Sequence, residues 1–508
     1  MLRQVRSLIG TSLCALGALM VLGGTADARK VFIDVDVDDV GLCEWDGTGF
    51  AACAPYSALS MPVLDRLKSE GQEWTQAFVQ PACTMTRVGM LTGLSSYRTG
   101  TGDVDGINTP EDGRVNMVSR PTSVQYMREN GIRTVLIGKG HFCSDGPCYD
   151  RVGFEEVYAL SPSNPATDHT VTWWGYDPPL DADGNPDTSL NNFFNWFHCE
   201  GMPYGSSTNF QCNYNTEYAT DVVFQAAIDI ISDVSDPRDL YIKLSSPDAH
   251  APMAETPDNL IAGCTPFREC YQGKVAYFDK KLGELEAAIE AVDPTWSDHR
   301  MKIIGDNGTP QFSVGTGGYD GFKVKSTAYV GGIHIPMVIV GDGVSVTTVT
   351  EPIQTPDHAN FGPDYFGLTY TTPDNLPAVT DCVTGACVGE GAEYIFAQHW
   401  EENHGWDLPE AGDTTGFLWN SYETSAITTY NGVQYQLFWF WNTFAGGMSD
   451  PNSPDVVEFY DLTNDYFQAT DITSPTGDDL DAKNLLVTAL QNRRVDSRGD
   501  VVIDACGP

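Results

Sequence analysis

Val31-Phe32-Ile33-Asp34-Val35-Asp36-Val37-Asp38-Asp39 opens the organised part of the chain, with apolar residues at alternate positions and aspartates between them. A period of two marks a strand, and Val63, Leu64 and Leu67 within 61–70 then carry helical spacing. A strand followed by a helix is half of a βα unit, and the alternation continues. Segments 122–130, 217–234 and 271–291 read as helices, and 134–138, 240–244, 301–305 and 335–340 as strands. The order predicts an α/β fold, a large mixed and mostly parallel sheet sandwiched by helices.

After about residue 405 the pattern changes. Segments 426–430 and 433–441, joined by Asn431-Gly432, read as a β-hairpin, because that dipeptide tolerates the left-handed backbone of a tight turn. A short strand at 457–462 and a helix at 481–494 complete an expected small C-terminal α+β subdomain with an antiparallel sheet, spanning 406–508 beside a main domain over 29–405.

Residues 1–28 read as an export signal: Arg3 and Arg6, an apolar stretch, then Ala26-Asp27-Ala28 as a cleavage site. No later segment reaches the roughly 20 apolar residues that cross a bilayer, so the mature chain is expected to be periplasmic or extracellular with no membrane span. The 508 residues are 41% hydrophobic, enough for a large core, and carry a formal net charge of -41. Such an excess repels polyanions and argues against nucleic acid as a partner. Its simplest explanation is adaptation to a saline or calcium-rich medium.

An oxidising compartment favours disulfides among the 13 cysteines. Cys43 with Cys53, Cys143 with Cys148, Cys199 with Cys212, Cys264 with Cys270 and Cys382 with Cys387 are close in sequence and form plausible local loops. With Cys14 inside the signal, Cys83 and Cys506 remain. Either Cys83 is withheld from disulfide chemistry or it is bridged to Cys506, which would leave no nucleophile.

Ligands of open α/β sheets lie at the carboxyl ends of strands. Asp38 and Asp39 follow the first strand, Lys139 and His141 the strand at 134–138, His250 the strand at 240–244, and Asp306 and Asn307 the strand at 301–305. Three carboxylates and an amide oxygen make a hard donor set suited to Ca²⁺ or Mg²⁺. The nine histidines show no close helical pairing that would suggest zinc, and His399 and His404, in an acidic stretch, read as surface or supporting residues.

Pro81-Ala82-Cys83-Thr84-Met85-Thr86-Arg87, followed by Leu91-Thr92-Gly93, resembles the signature of the sulfatase family, in which the cysteine is oxidised to formylglycine. The resemblance extends along most of the mature chain. Tyr97-Arg98-Thr99-Gly100 sits where the family has His-Arg-Thr-Gly, Gly138-Lys139-Gly140-His141 is similar to its G-K-W-H, and Pro247 to Pro252 to its P-H-x-P. Gly305-Asp306-Asn307-Gly308 looks like its S-D-N-G, and Lys325 stands six before Gly331-Gly332.

This resemblance implies a catalytic domain over 29–405 that cleaves sulfate esters, with Ca²⁺ or Mg²⁺ held by Asp38, Asp39, Asp306, Asn307 and the modified Cys83. It implies that Arg87 and Lys139 orient the formylglycine, that His141 takes a proton from it, and that His250 and Lys325 bind sulfate and assist the departing oxygen. A formylglycine-generating enzyme is the implied maturation partner, and a small-molecule or carbohydrate sulfate ester the implied substrate. The acidic surface favours small esters over densely sulfated polymers.

Met85 stands where the family carries Pro or Ala, and Val330 and Ser326 also depart from its pattern. Two further readings stay open beside the sulfatase: a phosphoester or phosphonate hydrolase on the same site, and a catalytically silent binding protein if Cys83 stays a thiol. Within 161–215, Trp173 and Trp174 are expected to line the substrate cleft.

Overall fold

The structure is a computed structural model that describes residues 29–45, 53, 59–99, 101–102, 121–142, 146–161, 196–201, 211–215, 217–250, 253, 256–258, 267–314, 320–375, 377–386, 391–400, 421–442 and 456–493. The expected first strand is β1 (Val31–Val37), buried along its whole length near the middle of a ten-stranded sheet. The other strands of that sheet are β2 (Gln72–Phe78), β3 (Arg133–Gly138), β4 (Glu156–Ser161), β5 (Trp196–Gly201), β6 (Gln211–Asn215), β7 (Leu240–Ser246), β8 (His299–Gly305), β9 (His334–Gly341) and β10 (Thr347–Val349). Their spatial order is β10-β2-β9-β8-β1-β7-β3-β4-β5-β6. The strands from β8 to β4 run parallel, while β9 is antiparallel to both β8 and β2, and β5 to both β4 and β6.

Helices cover both faces, as a parallel sheet requires. Val31, Ile33, Val35 and Val37 point to one layer, where α1 (Pro62–Glu70), α4 (Ala219–Ser232) and α5 (Phe267–Val292) contribute Leu64, Phe224 and Leu282. Phe32 points to the other, where α2 (Cys83–Thr92) and α3 (Ser123–Glu129) contribute Val88, Leu91 and Met127. Proline at the first turn of α1 costs nothing, because that N–H has no helical partner. Asp279 of α5 instead accepts from the next two amides, Val63 (3.1 Å) and Leu64 (2.8 Å).

The second sheet is antiparallel, in the order β11 (Ile395–Trp400), β12 (Ser421–Tyr430), β13 (Val433–Asn442) and β14 (Val456–Asp461). One face packs Ala426, Leu437 and Phe459 against Leu486 and Leu490 of α6 (Asp478–Arg493). The other packs Ile427, Phe438 and Tyr460 against Tyr329, Val330 and Ile333, so the small sheet rests on the segment that follows Lys325. Asn431 (φ 49°) and Gly432 (φ 82°) form the hairpin turn as expected. Of the two readings for His399, surface or supporting, the structure removes the first: it lies on β11 and is buried, because the sheet draws in residues upstream of 406. His404 lies outside the described residues.

Cys43 and Cys53 are bonded, and Cys148, Cys270 and Cys382 are also in disulfides. Cys199 and Cys212 are register partners on β5 and β6. Cys83 is free, which removes the bridge to Cys506; Cys506, Trp173 and Trp174 lie outside the described residues.

Candidate active site

The site is assembled by short backbone ties between strand ends. Beyond β1, the Asp38 amide donates to the Asp248 carbonyl (3.0 Å) and the Ala249 amide donates back to Asp38 (2.8 Å), which joins the ends of β1 and β7. The Asp306 amide donates to Val37 (3.1 Å), joining β8 to β1. Lys325 and Ser326 donate to Thr309 (3.0 Å) and Pro81 (2.9 Å), so the loop bearing Lys325 bridges the end of β8 and the approach to α2. Gly308 lies so close to Gly331 that an added Cβ would sit 1.9 Å from its carbonyl oxygen, a spacing only glycine permits.

Cys83 is the first residue of α2, and every residue of that helix is buried. Its N-cap, Ala82, offers no side-chain acceptor, so the helix start directs amide dipoles toward the Cys83 end. One ligand atom from each of Asp38, Cys83 and Asp306 lies within 4.8 Å of the other two. Arg87, one turn along α2, is buried beneath this group and donates to Asp306 Oδ2 (2.8 and 3.2 Å), Asp36 Oδ2 (2.7 Å) and the Lys139 carbonyl (3.1 Å).

Lysines close the ring. Lys139 Nζ donates to Asp38 Oδ2 (2.6 Å), and Lys325 Nζ pairs with Asp39 Oδ1, which also accepts from Asn307 Nδ2 (2.9 Å). The Asp39 carboxylate is outside the Asp38, Cys83 and Asp306 cluster and is held by Asn307 and Lys325, while the Asp39 amide donates to Asp306 Oδ1 (3.0 Å). Burial works against the Asp39 carboxylate, but Lys325 and then His250 outweigh it and hold it below the usual carboxylate range. Burial and the neighbouring Asp38 push Asp306 up.

Two groups have protonation states set by enclosure. Burial pushes the Cys83 thiol above its usual range, with Lys139 and Lys325 opposing, so an unmodified Cys83 is a protonated thiol at neutral pH. Burial and then Lys139 hold His141 well below the usual imidazole range, leaving it neutral with a basic nitrogen. His250 is close enough for its charge to act on both Asp39 and His141, and its carbonyl accepts from Lys274 Nζ. Burial brings Lys274 down to about 7 despite Asp248 at 3.6 Å.

The structure thus brings all ten residues expected from sequence to one end of the sheet. Sequence reasoning missed the buried charges beneath them, Lys243 on β7 and Lys302 on β8, and gave Asp36 no role. The available signal was a lone charge inside Leu240-Tyr241-Ile242-Lys243-Leu244 and Met301-Lys302-Ile303, strands that must be apolar on both faces.

A divalent cation fits this donor set on an observation separate from the motif. Asp38 Oδ1 and Asn307 Oδ1 are buried oxygens that accept no hydrogen bond, a cost that a cation would relieve.

The chain matches the Sulfatase family model across residues 44–371. It belongs to the sulfatase family. Among curated relatives it is similar to human arylsulfatase H, 31% identical over 27% of this chain and 25% of that protein, and to mouse arylsulfatase J, 33% identical over 23% and 18%. The alignments span about a quarter or less of those relatives.

Solved structures share the fold over nearly the whole length. The PsFucS1 sulfatase from Pseudoalteromonas sp. is 16% identical with a TM-score of 0.64, covering 91% of this chain and 90% of that one. Ps i-CgsB, solved with k-i-k-neocarrahexaose, is 15% identical with a TM-score of 0.64, covering 93% and 95%. BT4656, solved with its substrate D-glucosamine-2-N,6-O-disulfate, is 12% identical with a TM-score of 0.63, covering 91% and 97%.

Proposed function

We propose that this sulfatase-family protein hydrolyses sulfate esters, using formylglycine made from Cys83 and a divalent cation, Ca²⁺ or Mg²⁺, held by Asp38, Asp39, Asp306, Asn307 and the modified residue. The observation that carries the reading is the placement of Cys83 against Asp38 and Asp306, inside a ring of Lys139, Lys325 and Arg87. A sulfate ester is an anion whose cleavage builds negative charge on the bridging oxygen, and fixed cations around that oxygen lower the barrier. They are concentrated here in a chain with only 28 lysines and arginines.

A buried, protonated thiol is a poor nucleophile, so unconverted Cys83 is ill suited to attack sulfur itself. Hydrated formylglycine would supply one hydroxyl to attack sulfur and a second whose deprotonation expels sulfate, and the cation would make those hydroxyls more acidic. Neutral His141 is suited to accept the proton from the second hydroxyl. Lys139 and Lys325 would hold sulfate oxygens, and His250 would protonate the departing alcohol or phenol. Arg87, with its donors already engaged by Asp36, Asp306 and Lys139, fixes the start of α2 and leaves substrate binding to the lysines.

We place the enzyme outside the cytoplasm, on the signal-like residues 1–28 and the Cys43–Cys53 disulfide. Among the described residues no helix is long and apolar enough to cross a membrane. The carbohydrate ligands of Ps i-CgsB and BT4656 make sulfated saccharides the first natural substrates to try.

The test is turnover of an aryl sulfate against the matching aryl phosphate and phosphonate, by protein co-produced with a formylglycine-generating enzyme. Sulfate should be preferred, and Cys83→Ala should lower the rate by about a thousandfold or more. Preference for phosphate or phosphonate would move the enzyme to the other reaction class, and no turnover of any by fully converted protein would leave a binding protein.

A further inference from the structure

Beneath the active-site ring lies a second set of charges that the chemistry above does not use. Asp34 on β1 is register partner to Lys243 on β7 and to Lys302 on β8, so three charges form one rung across the centre of the sheet. Lys243 and Lys302 reach Asp34 at 3.2 and 3.1 Å, and all three are buried. One pleat closer to the site is Asp36, whose Oδ2 accepts from Arg87 Nη1 (2.7 Å) and Ser245 Oγ (2.8 Å) and whose Oδ1 pairs with Lys243. Arg87 Nη2 lies 4.0 Å from Asp38 Oδ1, the oxygen that accepts no hydrogen bond.

Buried ion pairs seldom stabilise a fold more than well-packed apolar residues of the same size would, so this rung asks for another explanation. The Arg87 guanidinium, already 4.0 Å from Asp38 Oδ1, would compete with a cation for that carboxylate if it moved closer. Asp36 holds Nη1 of that guanidinium while Asp306 holds Nη2 and Nε, and Lys243 in turn pairs with Asp36 Oδ1, so losing Asp36 loosens the arm that Asp306 does not restrain.

We infer that Asp36 is a positioning residue that tethers Arg87 away from Asp38 and so keeps Asp38 available to a divalent cation. The inference rests on the cation site proposed above and adds a role for residues outside it.

The test is calorimetric titration of Ca²⁺ into the full chain, with thermal unfolding measured in parallel. Asp36→Leu alone leaves Lys243 in excess and should lower Tm. Combining it with Lys243→Met removes both charges and should recover Tm, yet Ca²⁺ should bind about tenfold or more weaker than in the wild type, the usual scale for losing a residue that orients a metal ligand.

If the double variant recovers both Tm and Ca²⁺ affinity, Asp36 is merely a structural charge and the inference is wrong. Should the double variant not fold, Asp36→Asn is compared with Asp34→Asn, one rung further from Arg87. Weaker binding in the first alone supports the tether, and equal binding or equal loss in both overturns it. A wild-type chain that binds neither Ca²⁺ nor Mg²⁺ removes the cation site itself, and the role of Asp36 with it.

Discussion

His141 shows how enclosure, more than residue type, decides chemistry here. An exposed histidine titrates near neutrality, but burial beside Lys139 makes the charged form costly, so the ring stays neutral well into mild acid. A proton acceptor needs that neutral form. His141→Gln should therefore lower kcat by about a hundredfold, within the range for loss of a general base. The converted enzyme should show no kcat limb near the ordinary imidazole value of about 6.5 from this group, since its protonation lies well below that. A pH–rate profile of wild type and variant checks both statements, and a wild-type limb near 6.5 that vanishes in His141→Gln would contradict the neutral assignment.

At the scale of elements, β3 ends on Gly138, whose φ of 91° lies in the left-handed region. A Cβ there would sit 2.0 Å from the Ser245 carbonyl oxygen, and that same carbonyl accepts from the Lys139 amide at 3.1 Å. The close approach of β3 and β7 is what aims Lys139 at Asp38. Gly138→Ala should cost about 3 kcal/mol of stability through backbone strain and displacement of Ser245, measured by denaturant unfolding. A loss under half of that would show that the strand end shifts easily.

β1, β3, β7 and β8 were legible in the sequence because buried parallel strands are short, apolar and separated by helices with clear spacing. β2 was not: Gln72-Glu73-Trp74-Thr75-Gln76-Ala77-Phe78 carries four polar residues, and its alternation is broken by a shift in register between Trp74 and Ala77. The reversed direction of β9 was equally hidden, since periodicity encodes faces and not polarity. Asp38, Asp39, Lys139, His141, His250, Asp306 and Asn307 were readable because they follow strand ends, and Cys83, Arg87 and Lys325 because they sit in motifs that resemble the family's. The pairing of Asp34 with Lys243 and Lys302 was not, because it depends on which strands neighbour one another.

Across the whole molecule, acid should unfold the protein through carboxylates that the fold holds ionised. Asp293, between α5 and β8, accepts from the Asp298 amide (2.9 Å) and lies 3.0 Å from His299 Nδ1, and these bonds outweigh burial to bring it from 3.8 to about 2. A lowered carboxylate stabilises the fold above its unfolded value and loses that contribution as pH falls from 3.8 to about 2. Discounted for solvent screening, linkage puts the contribution at about 1 kcal/mol, so Asp293→Asn should lose about that much at pH 7 and nearly nothing near pH 2, in unfolding titrations at each pH.

The proposed hydrolysis makes the whole acidic, disulfide-bearing α/β molecule depend on conversion of Cys83. The most direct measurement is the initial rate of aryl sulfate hydrolysis across preparations whose converted fraction of Cys83 has been determined by peptide mass. The rate should be proportional to that fraction and pass through zero when none is converted. A rate that does not change with conversion would contradict that dependence.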